Sequence, residues 1–232
     1  MSQYDGLGDA YLRMRKRMFR KGYAKDLPVM LKLIGDLKDK RLLDLGCGAG
    51  EHATLYSKKG AIVTGIDNSR KEISAAKKLN PNIDFSIHDI NRTLPFRDSD
   101  FDTITACLVF DHLKDLTGIF EECHRILKPD GKMVFSMTNP VFYQERSLAG
   151  KLKMFNRKIV FGDYFKRRKV TRTWGGKIKV DHYHKPLQDY FDAFLGAGFE
   201  LVAFKEPPPI RYRKNDWHSR NPTFLVLKLR KK

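Results

Sequence analysis

Apolar and polar residues change their period several times along the chain, and each change marks an element. Residues 41–45, 61–66, 84–88, 103–108 and 133–137 are short apolar runs, the pattern of strands buried on both faces. Helical spacing lies between them. Leu116, Ile119, Phe120, Cys123, Ile126 and Leu127 fall on one stripe. Residues 51–59 read as a helix closed by Gly60, and Ser69 followed by Glu72 is a capping-box start for the next, which ends before Asn80 and Pro81. Residues 187–195 form a further helix, followed by strands at 199–204 and 224–229 with no helix between them. Near the start, residues 11–25 read as a basic helix, and Pro28 suits the first turn of another that runs to about Leu37. Residues 140–185 read as a long irregular insertion. Alternating β and α elements joined by right-handed crossovers predict a doubly wound, mostly parallel α/β sheet of seven strands, its last strand antiparallel. This gives one domain: a helical cap at 1–38, a core at 39–139 and 186–232, and an inserted lid at 140–185.

The stretch Leu42 to Gly50, LLDLGCGAG, joins the first strand to its helix. Gly46, Gly48 and Gly50 make a GxGxG turn that lets backbone pass close to a ligand, with the helix N-terminus behind it. In such a sheet the ligand lies outside the strand C-termini, which is where Asp67 also stands. A nucleotide-like cofactor is expected there.

Asp44 with the three glycines, Asp67 after the second strand, Asp89 after the third, FDTI at 101–104 and LKPDG at 127–131 together form a recognisable set. Over residues 40–138 it resembles the Rossmann-like class I S-adenosylmethionine-dependent methyltransferases, in particular the small-molecule branch that includes ubiquinone and menaquinone methyltransferase-like proteins. The resemblance implies S-adenosyl-L-methionine as cofactor and a site made of Gly46, Cys47, Gly48, Gly50, Asp67 and Asn68. It also implies that Asp44 faces the methionine ammonium, Asp67 accepts the ribose hydroxyls, Asp89 and the Ile90 N–H meet adenine, and the Leu108 carbonyl lies near the methionyl amine. Tyr4 and Tyr11 would close over the cofactor. A nicotinamide fingerprint is GxGxxG, and here Gly50 comes one residue too early. Catalysis in such enzymes is chiefly positioning, with a base optional. Candidate bases are His112, His182 and His184; no metal is expected.

Charge changes this picture at the edges. Residues 11–25 carry +7 and residues 146–180 carry +11, the whole net charge of +18, so the remainder is neutral. Bases interleaved with aromatics in the insertion suit a small-molecule or lipid acceptor of anionic or aromatic character. An anionic membrane surface and RNA, as in a tRNA or rRNA methyltransferase, are the other candidate partners, and a non-catalytic S-adenosylmethionine-binding protein is a further alternative. The two basic segments are expected to meet in one rim around the acceptor entrance. Cys47, Cys107 and Cys123 have no disulfide spacing, and no run approaches the ~18 apolar residues of a membrane span, so a reducing, cytoplasmic setting is expected, peripheral to membrane if a lipid is the acceptor.

Overall fold

In the computed structural model, residues 2–6, 13–14, 17, 24–143, 164–174, 178–208 and 222–232 are described. β1 (Arg41–Leu45), β2 (Ile62–Asp67), β3 (Asp84–Ile87), β4 (Phe101–Cys107), β5 (Leu127–Thr138), β8 (Phe199–Lys205) and β9 (Phe224–Lys231) form one sheet ordered β3-β2-β1-β4-β5-β9-β8. β9 pairs antiparallel with both neighbours, and the other pairings are parallel. The order reverses between β1 and β4, and such a switch opens a crevice outside the strand C-termini.

Side chains alternate across the sheet, and both sides are buried. Leu43, Leu45, Ile104, Phe135 and Leu227 face one core with α4 (Thr117–Ile126) and α5 (Leu187–Gly196). Leu42, Val63, Val134 and Val226 face the other, with α1 (Asp26–Ile34), α2 (Glu51–Lys58) and α3 (Arg70–Leu79). That double burial is why the strands read as apolar runs. Half of the capping box forms: the Glu72 N–H donates to Ser69 Oγ, while the Ser69 N–H donates to Asp67 Oδ1 in place of the Glu72 side chain.

Three expected boundaries shift. α1 stops at Ile34 because Gly35 takes φ 74°, although Leu37 is buried and so extended the apolar pattern. β5 begins at Leu127, which pairs with Phe101 across a bulge, so the turn at Asp130 lies within the pairing. The insertion is not irregular throughout, since β6 (Arg168–Trp174) and β7 (Ile178–His184) form a separate antiparallel hairpin. Most of the basic helix expected at 11–25 lies outside the described residues.

A 3₁₀ turn, Phe110–His112, follows β4 and packs against β7. Buried Lys185, just past β7, donates to the carbonyls of Phe110 and Tyr183 at 3.3 Å and also to that of Leu113. Burial pushes its pKa down to about 8. One side chain thus ties the hairpin to both ends of the turn that carries His112.

Candidate active site

The glycine turn is held by packing as well as by backbone preference. Gly46 has φ 68°, and a Cβ there would lie 2.5 Å from Val109 Cγ2. Gly50, at φ 80°, is the N-cap of α2, and a Cβ there would lie 2.9 Å from Phe85 Cζ. The turn therefore seats against the ends of β4 and β3 only because neither residue has a side chain. Asp67 links it to β2: its Oδ2 accepts from the Gly48 N–H at 3.0 Å and its Oδ1 from the Ser69 N–H at 2.9 Å. Across the switch point Leu108 takes φ 56°, a conformation costing a non-glycine residue on the order of 1 kcal/mol.

These ends enclose a cavity of about 310 Å³. Asp26, Glu51, Asp67 and Glu72 line it, with His52, His88 and His112, and no Lys or Arg is among the described lining residues. In a chain of net charge +18 this is a reversal of sign. Four carboxylates in one cavity favour a cationic ligand. S-adenosylmethionine carries a sulfonium and an ammonium against a single carboxylate, so the donor set fits it.

Of the residues expected at the site, Gly46, Cys47, Gly48, Asp67, Asn68, Ile90 and Leu108 line the cavity together. Asp44 is buried within β1, where its Oδ1 accepts from Thr105 Oγ1 at 3.0 Å, and it does not line the cavity. Gly50 is turned onto Phe85. Asp89 accepts from the Asn91 N–H and Nδ2 at 3.0 and 2.8 Å; that backbone hydrogen bond chiefly holds its carboxyl below the usual range, and Asn91, not Asp89, faces the cavity. Tyr11 lies outside the described residues. Tyr4 lines the cavity.

The three histidines part company. His112 lines the cavity, with Nε2 2.8 Å from the Tyr4 hydroxyl and Nδ1 2.9 Å from the Asp181 carbonyl. The buried His182 ring lies behind it, 4.6 Å between centroids. His184 is off the cavity wall, with Nε2 2.8 Å from the Tyr164 carbonyl, and burial pushes its pKa down. Reading by local pattern missed Asp26, Glu51, His52, Glu72, His88 and Asn91. Glu72 was visible only as a cap. Asp26 accepts from Ser136 Oγ at 2.6 Å and from Cys107 Sγ at 3.3 Å, partners 110 and 81 positions away, so no local signal marks it. Burial, then the Asp26 charge, raises the pKa of that thiol.

Residues 43–135 match the family model described as a methyltransferase domain. Over 196 residues the chain is 34% identical to a ubiquinone biosynthesis O-methyltransferase of Coxiella burnetii, covering 76% of this chain and 82% of that protein. The chain belongs to the class I S-adenosylmethionine-dependent methyltransferases. An uncharacterized protein of Haemophilus influenzae is 27% identical to this methyltransferase over 244 residues, 98% of this chain and 95% of that one. An S-adenosylmethionine dependent methyltransferase from Mesorhizobium loti shares the fold, with a TM-score of 0.74 at 22% identity over 90% of this chain and 98% of that one. The methyltransferase thus takes S-adenosyl-L-methionine as its cofactor, and among the described residues no helix is long and apolar enough to cross a membrane.

Proposed function

We propose that this methyltransferase acts on a small-molecule or lipidic acceptor, aromatic in preference to anionic. The observation that carries the reading is the continuity of the cavity: the wall that holds Gly46, Gly48 and Asp67 continues to Tyr4, Val109, His112, Leu113 and Phe224. That further wall is aromatic and apolar, and the carboxylates beside it oppose an anion. The Coxiella relative, an O-methyltransferase of ubiquinone biosynthesis by name, supports an acceptor of the same broad kind. Two bases here are already paired, Arg167 just before β6 with Asp189 at 2.6 Å and Lys169 within it with Asp181 at 2.7 Å, which weakens the case for an RNA or membrane role for them.

In this reading S-adenosylmethionine supplies an electrophilic methyl group on a sulfonium leaving group. Asp67 would accept from the ribose hydroxyls while still holding the turn, Ile90 and Asn91 would border the adenine, and Leu108 and Asp26 would border the methionyl ammonium. Asp44 and Asp89 stand behind the wall, engaged by Thr105 and Asn91, and shape it. Methyl-tritiated S-adenosylmethionine incubated with cell extract should place its label in a small molecule or lipid extractable by organic solvent. Label found only in RNA would overturn the proposal.

A further inference from the structure

Residues 2–6 run across the cavity, anchored at both sides. Asp5 Oδ1 accepts from Ser69 Oγ at 2.7 Å and from the Lys71 N–H at 3.2 Å, beside the start of α3. On the other side the Gln3 amide matches the main chain of β7: Oε1 accepts from the Asp181 N–H at 2.9 Å, and Nε2 donates to the Asp181 carbonyl at 3.3 Å. Between these anchors the Tyr4 hydroxyl reaches His112 Nε2.

The tautomer of His112 follows from its partners. Nδ1 lies 2.9 Å from the Asp181 carbonyl, which can only accept, and a longer 3.4 Å from the Gln3 Nε2 donor, so the shorter contact places the ring hydrogen on Nδ1 and lets Nε2 accept from the Tyr4 O–H. An imidazole oriented from behind by a main-chain carbonyl, with its other nitrogen already on a phenol, is the arrangement a general base needs. Its carrier is rigid: Lys185 holds the carbonyls on both sides of it, and Asp111 accepts from the Thr138 N–H at 2.9 Å and from the Tyr190 hydroxyl at 3.3 Å.

From this arrangement we propose that His112 takes the proton of a hydroxyl-bearing aromatic acceptor, and that the Tyr4 phenol occupies that hydroxyl's place in the present structure. The inference rests on reading the cavity as the methyl-transfer site. No Lys or Arg among the described lining residues could hold a phenolate, and four carboxylates disfavour one, so the hydroxyl enters neutral. As its oxygen forms the bond to the methyl carbon, the carbon–sulfur bond breaks with the electron pair left on sulfur, and the hydroxyl proton passes to Nε2 and then to solvent. His52 and His88 line the cavity at α2 and after β3, on the cofactor's side of it.

The test compares kcat at saturation for wild type and His112→Gln on two probes, catechol and 4-nitrocatechol, whose more acidic hydroxyl is already ionised near neutral pH; the cavity's carboxylates weaken binding of that anion and so raise its KM, which the comparison of kcat leaves aside. With catechol, kcat should fall on the order of 100-fold, the scale of general-base catalysis, and with 4-nitrocatechol by less than about fivefold. S-adenosylhomocysteine affinity should survive the substitution, which separates loss of a base from loss of the fold. Tyr4→Phe, which removes the competing hydroxyl, should lower the catechol KM several-fold. Equal losses of His112→Gln on both probes would overturn the inference, as would a fall in kcat for Tyr4→Phe as deep as that for His112→Gln. A wild-type enzyme that methylates neither probe but labels a non-hydroxyl acceptor would instead remove the reading of the acceptor on which the inference stands.

Discussion

Replacing Asp67 with alanine lowers the affinity for S-adenosylmethionine about 150- to 20,000-fold, equivalent to roughly 3–6 kcal/mol. In the proposed arrangement the carboxylate accepts from two ribose hydroxyls, and hydrogen bonds to a charged group contribute ~1.5–3 kcal/mol apiece. It also anchors the N–H groups of Gly48 and Ser69, so its loss frees the glycine turn as well. Equilibrium dialysis against labelled cofactor measures the effect, with an unchanged melting temperature as evidence that the core is intact. A change under about threefold, too small for even one such bond, would remove Asp67 from the site.

Phe120→Ala destabilises the fold by about 3–5 kcal/mol, the range for truncating a large core aromatic. Phe120 on α4 is fully buried, with ring centroids 4.9 Å from Phe110, 5.8 Å from Phe135, 6.0 Å from Phe194 and 6.4 Å from Phe199. Those partners come from the 3₁₀ turn, β5, α5 and β8, so relaxation of one element cannot fill the space left behind. Urea denaturation should show the midpoint falling with the slope unchanged. A loss below about 1 kcal/mol would mean that the cluster is loosely packed. Because Phe110 opens the turn that carries His112, methyl transfer should weaken before the chain unfolds.

The strands of the sheet were legible because each is buried on both faces, which leaves an unbroken apolar run in a chain otherwise rich in charge. The glycine turn and Asp67 were legible for a different reason: both act through backbone geometry at fixed offsets from a strand end. The β6–β7 hairpin left little local trace: Val170 pairs with His182 and Thr171 with Asp181, while Val180 and Tyr183 pair with Arg172 and Lys169, so bases interrupt the apolar pattern. Tyr4 and His112 were each expected near the site, but the pairings that build the cavity's walls were not legible, because they join distant positions. Tyr4 meets His112 across 108 positions, and Gln3 meets Asp181 across 178. Nothing in the spacing of either pair distinguishes it from chance, and only the fold brings them together.

The central claim is that the acidic cavity at the switch point between β1 and β4 binds the methyl-donor cofactor. Calorimetric titration of the wild-type chain with S-adenosylhomocysteine tests it most directly. The account predicts one site per chain, no comparable heat with NAD, and competition by S-adenosylmethionine for the same site. Absence of binding by either sulfur ligand, or equal binding of NAD, would contradict it.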